Sequence, residues 1–210
     1  MQSWLYYLGH WGVSLFLFLF TRFKIKGKQN VPKTGGVLIC ANHLGTIDPP
    51  VVGVSLGRIT IFMAKEELFR SRFSGYFISR FGAFPVHRGQ LDRQALRQAE
   101  KVLSENKALV MFPEGTRSSG QLQSGFMGAA LIAERAGVPV VPIGLIGTER
   151  IKGWKWMLRR PRIIVNIGLP FRLSLDSNKA RRAGLEENTN VIMEHIAGLL
   201  PEEYRGLYRE

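Results

Sequence analysis

Six apolar runs, at residues 37–41, 59–64, 83–86, 108–112, 138–146 and 163–167, constrain this chain more than any other feature. Each has the length of a buried strand, and helical patterns separate most of them. Such alternation predicts an α/β single domain with a mostly parallel mixed sheet covered by helices. The clearest helix is predicted from Leu91 to Glu105, where Leu96, Ala99, Val102 and Leu103 line one face and Asp92 and Asn106 mark the ends. Residues 127–136, stopped by Gly137, and residues 179–200, ahead of Pro201, predict two more. A chain of 210 residues can bury a core without disulfides or metals, and the single cysteine fits a reducing compartment. With no internal repeat or long linker, one boundary is expected, between an N-terminal segment (1–25) and the rest (26–210).

Residues 4–20 are almost wholly apolar, end in Leu15-Phe16-Leu17-Phe18-Leu19-Phe20, and precede Arg22, Lys24, Lys26 and Lys28. As a helix this stretch reaches about 26 Å, against the roughly 30 Å of a hydrocarbon core, so spanning is marginal. Ser3, Tyr7, His10, Ser14 and Thr21 fall near one face. The expectation is an N-terminal membrane-associated helix lying in one leaflet, its basic run on anionic head groups; the alternative is a helix packed on the soluble core. A cleaved signal peptide is not expected, for lack of a positive n-region or an A-x-A-like site. The formal net charge is +13, and residues 176–210 hold seven of the sixteen acidic residues against five basic ones. A chain this basic meets nucleic acid, anionic lipid or another polyanion, and the apolar segment favours an anionic membrane surface over nucleic acid. Lys152-Gly153-Trp154-Lys155-Trp156-Met157-Leu158-Arg159-Arg160 reads either as a second membrane contact or as a basic loop with two buried tryptophans.

His43 and Asp48 lie five residues apart in Ala41-Asn42-His43-Leu44-Gly45-Thr46-Ile47-Asp48. On one continuous helix they diverge by about 140°, so the segment must turn between them. Val37 to Ala41 reads as a buried strand, Gly45 loosens the backbone, and Asp48 before Pro49-Pro50 reads as the N-cap of the next helix. Asp48 can then accept from one ring nitrogen and leave the other to take a proton from an alcohol. Taken alone, the pair reads first as a helix cap and a core histidine, since catalytic roles are the rarer use of either residue. A second cluster, Phe112-Pro113-Glu114-Gly115-Thr116-Arg117-Ser118, tips the balance. It follows another buried strand and offers Gly115 for close backbone approach, hydroxyls from Thr116 and Ser118, and the planar fork of Arg117 for phosphate oxygens. It is not a nucleotide P-loop, because the chain has no GxxxxGK[ST] run.

With these residues in view, the chain resembles the glycerolipid acyltransferases, specifically the 1-acylglycerol-3-phosphate (lysophosphatidate) O-acyltransferase family, from about Val31 to Gly147. His43 and Asp48 match the family's HxxxxD block. Gly82-Ala83-Phe84-Pro85-Val86-His87-Arg88-Gly89 resembles the second block, whose arginine is associated with the substrate phosphate. Phe112 to Ser118 matches the third, and Val138 to Ile143 the fourth. Where many relatives carry F-K-x-G-A after the third block, this chain has Gly125-Phe126-Met127-Gly128-Ala129, so Phe126 replaces a lysine.

The resemblance implies direct transfer of a fatty acyl group from an acyl thioester to the free hydroxyl of 1-acylglycerol 3-phosphate, giving phosphatidic acid in phospholipid biosynthesis. His43 and Asp48 are then the expected catalytic residues; Arg88, Glu114, Gly115, Thr116 and Arg117 are expected to bind substrate. Main-chain amides near Gly45 are the expected oxyanion donors. No cofactor is expected beyond the donor, acyl-CoA or acyl carrier protein, and the setting implied is the cytoplasmic face of the inner membrane. Another lysophospholipid or an amine-headed lipid is an alternative acceptor, and a non-catalytic membrane-surface binding protein is the more distant reading. Cys40, inside an apolar strand, reads as an inert core residue. His87 reads as a local contact without a partner at the right spacing, and the scattered histidines with a single cysteine predict no metal site.

Overall fold

The computed structural model describes residues 3–80, 82–87, 92–174 and 181–209. Its centre is β2 (Val37–Ala41), buried along its whole length, as the unbroken apolar run Val-Leu-Ile-Cys-Ala requires of a strand covered on both faces. β2 lies between β5 (Ala108–Met111) and β6 (Val140–Ile146) in a seven-stranded sheet. The other strands are β1 (Arg22–Lys26), β3 (Thr60–Lys65), β4 (Ala83–Val86) and β7 (Arg162–Ile167), and the order is β1-β7-β6-β2-β5-β3-β4. Every pairing is parallel except β6 with β7. The sheet is therefore mixed and mostly parallel, as expected.

α2 (Asp48–Leu56) carries the chain from β2 past β5 to β3, while α5 (Gly128–Ala136) carries it from β5 back past β2 to β6. Right-handed crossovers running in opposite directions put these helices on opposite faces of the sheet. α1 (Ser3–Phe20) packs with α2; on the other face α5 packs with α4 (Arg93–Ser104) and α7 (Arg181–Ala197). α3 (Arg72–Arg80) precedes β4, and the four-residue α6 (Trp156–Arg159) precedes β7. Because the connections from β2 and β5 diverge, a crevice opens beyond the carboxyl ends of these two neighbours, the position where open α/β sheets bind ligands.

The predicted helices stand, shifted at their ends. Asp92 caps α4 by accepting from Gln94 N at 3.0 Å and Ala95 N at 2.9 Å, and Leu91 lies outside the described residues. β1 escaped the sequence reading. Arg-Phe-Lys-Ile-Lys alternates polar and apolar residues at the sheet's edge, with Phe23 and Ile25 packed on the core and Arg22, Lys24 and Lys26 exposed. The basic run expected on head groups is thus mainly an edge strand paired in register with β7, and the boundary drawn at 25/26 cuts through it.

α1 is held to the domain by fully buried Leu17 and by Tyr6, whose Oη lies 3.3 Å from Thr60 Oγ1. Its anticipated polar stripe turns largely inward: His10 and Ser14 are half-buried and Thr21 is buried, both hydroxyls donating to carbonyls of their own helix. Trp4, Leu8, Trp11, Leu15 and Phe18, at helical spacing, form the exposed face, 40–71% accessible. Among the described residues no helix is long and apolar enough to cross a membrane.

Candidate active site

His43 stands two residues beyond the end of β2, and main-chain and side-chain contacts fix it on every side. Asn42, ahead of it, extends the β2 ladder: its Nδ2 donates to Leu145 O at 3.0 Å and its Oδ1 accepts from Leu145 N at 2.7 Å. The His43 ring stacks on Phe112, centroids 4.3 Å apart. Its Nδ1 lies 2.7 Å from Asp48 Oδ2. That same oxygen accepts from Leu44 N at 2.6 Å and Gly45 N at 2.8 Å, so the carboxylate closes the loop that carries it. The arrangement makes Nδ1 the protonated nitrogen and leaves Nε2, which has no hydrogen bond among the described residues, as the acceptor. The ring and carboxylate are both buried, 7% and 0% exposed, which strengthens their interaction.

Two expectations change here. Asp48 is the first residue of α2 rather than its cap; the N-cap is Ile47, without a side-chain bond, and the carboxylate points back to residues 44 and 45. For the same reason the amides of Leu44 and Gly45 are engaged by Asp48 and are not available as oxyanion donors. Gly45 serves close packing instead, since a Cβ there would lie 3.0 Å from Thr148 O.

The second cluster follows β5, on the neighbouring strand. Glu114, expected to bind substrate, is 2% exposed and turned inward. Its Oε1 accepts from His43 N at 2.7 Å and its Oε2 from Gln123 N at 3.0 Å. Ser118 closes the other side, its N–H donating to His43 O at 2.8 Å and its hydroxyl to the same oxygen at 3.3 Å. Glu114 and Ser118 therefore grip the His43 main chain at nitrogen and oxygen. Nothing in the linear sequence pairs a glutamate with an amide so far away, and the motif marked Glu114 only as a substrate-binding residue.

The outward-facing members are Thr116 and Arg117, both exposed. Arg117 Nη1 donates to Thr46 Oγ1 at 2.6 Å, which ties the two loops together and holds the guanidinium beside the His43 loop. Gly115 adopts φ 66°, and a Cβ there would lie 2.7 Å from the Phe126 ring, so only glycine fits. Phe126 itself is mostly exposed; an apolar ring occupies the place where the resemblance leads one to look for a lysine. Arg88 lies outside the described residues.

His87 does have a partner at the right spacing, contrary to expectation. Asp92, five residues on, places Oδ2 3.0 Å from Nδ1, much as Asp48 does for His43. The resemblance ends at Nε2, which is ion-paired to Glu66. Hydrogen bonding to Asp92 and the charge of Glu66 raise the His87 pKa, which favours the protonated form of this exposed imidazole, and Nε2 is already engaged by Glu66. Cys40 is fully buried and burial pushes its thiol up, consistent with an inert core residue.

Burial raises the Glu114 carboxyl to about 7; its bonds from His43 and Gln123 pull the other way and the charge of Asp48 adds to the rise. An acid lifted above its ordinary 4.5 loses folding stability as pH climbs from about 4.5 to about 7, because the native state retains a proton that the unfolded chain has released. Glu114→Gln removes that slope and leaves one of the two N–H groups without an acceptor, a loss of about 1–3 kcal/mol. Denaturant unfolding across this range should find the variant less stable at acid pH, with the gap narrowing towards neutrality. A constant gap would remove the assignment of the titration to Glu114.

The strand ends thus present a buried histidine–aspartate pair in a mostly parallel α/β sheet, beside an exposed arginine and threonine. A general-base class of site is the chemistry this supports. The Acyltransferase family model matches residues 22–146, more than half of the chain, and the chain belongs to that family. A 1-acyl-sn-glycerol-3-phosphate acyltransferase of Streptococcus pneumoniae is 38% identical over 133 residues, covering 63% of this chain and 48% of that protein. One of Bacillus subtilis is 28% identical over 177 residues, covering 84% and 87%. The chain therefore spans about half the length of the first and most of the second. The crystal structure of the 1-acyl-sn-glycerophosphate (LPA) acyltransferase PlsC from Thermotoga maritima shares the fold, with TM-score 0.69 and 24% identity over 94% of this chain and 79% of that one.

Proposed function

We propose that this protein transfers a fatty acyl group from an acyl thioester to the free hydroxyl of 1-acylglycerol 3-phosphate, giving phosphatidic acid. The observation that carries the reading is the His43 imidazole, anchored at Nδ1 by Asp48 and, among the described residues, without a hydrogen bond at Nε2. The names of the Streptococcus and Bacillus relatives support the choice of acceptor. His43 Nε2 takes the hydroxyl proton as that oxygen bonds to the thioester carbonyl carbon; the C–S bond breaks, and the proton passes to the departing thiolate. Asp48 stabilises the imidazolium formed in between. Such a base supplies about 10²–10⁴-fold, and positioning of two lipid-like substrates supplies much of the remainder.

In this reading Arg117 and Thr116 receive the acceptor phosphate, with Arg88 from the second block. The donor is acyl-CoA or acyl carrier protein, either of which suits a basic surface, and no further cofactor is needed. The exposed apolar face of α1 rests in one leaflet on the cytoplasmic side of the inner membrane, delivering lipid to the site at the strand ends. Mass spectrometry of products from mixed lysolipids and each thioester tests the activity directly.

Arg117→Ala tests the acceptor. Loss of charge-assisted bonds worth about 1.5–3 kcal/mol lowers kcat/KM for lysophosphatidate roughly ten- to hundredfold, mainly through KM, and leaves a phosphate-free lysolipid little changed. Arg117→Lys recovers only part, because it lacks the bidentate fork. Equal losses on both acceptors would hand the site to a general lysolipid acyltransferase.

A further inference from the structure

The tryptophan-rich segment before β7 is not absorbed by the proposed chemistry. It is neither a plain basic loop nor a pair of buried tryptophans. Trp156 is 8% exposed and packs edge-on against Phe16 of α1, ring centroids 5.7 Å apart, while Trp154 and Leu158 are 63% and 78% exposed. Arg160 takes a left-handed backbone, φ 42°, unusual for a residue with a side chain. From there its Nη2 donates to Phe18 O at 3.2 Å, satisfying a carbonyl in the last turn of α1 that has no partner within the helix. These two contacts fix α6 against the C-terminal end of α1, where Leu15, Phe18 and Leu19 are also exposed.

From this geometry we infer that α6 and the exposed stripe of α1 form one docking surface for a bilayer carrying anionic phospholipid, with α1 supplying insertion and α6 supplying the charge selectivity. The charge on the segment is one-sided: Lys152, Lys155, Arg159, Arg160 and Arg162 are exposed, and no aspartate or glutamate occurs from Arg150 through Ser174. A water-soluble surface has no use for Trp154, just ahead of α6, and Leu158, within it, exposed beside such cations, whereas the boundary between acyl chains and phosphate head groups accommodates both. A protein partner is disfavoured because the exposed apolar residues run along one face of α1 and continue into a segment rich in cations, the pairing that a lipid surface rather than a protein groove accommodates.

The inference rests on the reading of α1 as lipid-facing, and two vesicle types separate the two ideas. Flotation is measured on phosphatidylcholine vesicles and on vesicles in which part of that lipid is replaced by phosphatidylglycerol. Wild-type protein should bind both and prefer the second, with the preference lost at high salt. Lys152→Gln/Lys155→Gln/Arg159→Gln should lose about a hundredfold in affinity for the anionic vesicles, near fivefold per cation, and bind neutral vesicles as before. Lys24→Gln/Lys26→Gln on β1 should keep the preference. All five positions are exposed, and thermal unfolding checks that each variant is folded. An anionic preference that survives the triple substitution, or that disappears with the β1 pair instead, overturns the assignment to α6. Wild-type protein that ignores neutral vesicles while preferring anionic ones leaves the cation arm standing and refutes α1 as the inserting element.

Discussion

Alanine at position 43 is expected to lower turnover by at least about 10²-fold in a protein that still folds. The expectation follows from what the imidazole does and does not hold. His43 is gripped through its main chain by Glu114 and Ser118, and those bonds survive loss of the ring. What disappears is the Nε2 acceptor, together with the stack on Phe112 and one of the three bonds to Asp48 Oδ2. Asp48→Asn should lose much of the same activity for a different reason. An amide can no longer offer a charged oxygen both to the ring and to the amides of Leu44 and Gly45, so the loop loosens and the imidazolium loses its counter-charge. The two losses should not add, because the residues act as one device. Full turnover in folded His43→Ala protein would sink the mechanism.

The pairs His43–Asp48 and His87–Asp92 show how far residue spacing carries. Both are five apart, and both bring a carboxylate oxygen to Nδ1. One is a buried ring whose second nitrogen has no hydrogen bond among the described residues; the other is an exposed ring whose second nitrogen is held by Glu66, a residue from another element. Spacing predicts the local contact, but it is silent on the distant neighbour that decides what the contact can do. The same division runs through the rest of the molecule. The buried strands were legible because parallel strands covered on both faces must be continuously apolar. β1 was not, because an edge strand with one wet face reads as a run of cations. The chemical identity of the third block was legible; the inward turn of Glu114 and Ser118 onto His43 was not, since it depends on β2 and β5 lying side by side.

Glutamates at Trp11 and Phe18 are expected to release the protein from membranes. α1 inverts the usual pattern of a surface helix, with its polar groups largely against the domain and its aromatics outside. Trp11 and Phe18 are 64% and 71% exposed, so replacing them should change folding stability by no more than about 0.5 kcal/mol. Deleting residues 1–21 is a poorer experiment, because it also strips Leu17 from the core and Tyr6 from Thr60, and lost binding could then follow from lost structure. Each large side chain withdrawn from lipid costs about 1.5–3 kcal/mol, so the pair should weaken vesicle partitioning roughly 10²–10⁴-fold. Turnover on a short-chain soluble acceptor should survive, because both side chains are exposed on α1 while His43 is held by Asp48, Glu114 and Ser118. Sedimentation with vesicles, repeated at high salt to remove the contribution of surface cations, reads the effect. If the double variant still pellets as the wild type does under those conditions, α1 is not the inserting element, and its exposed aromatics need another partner.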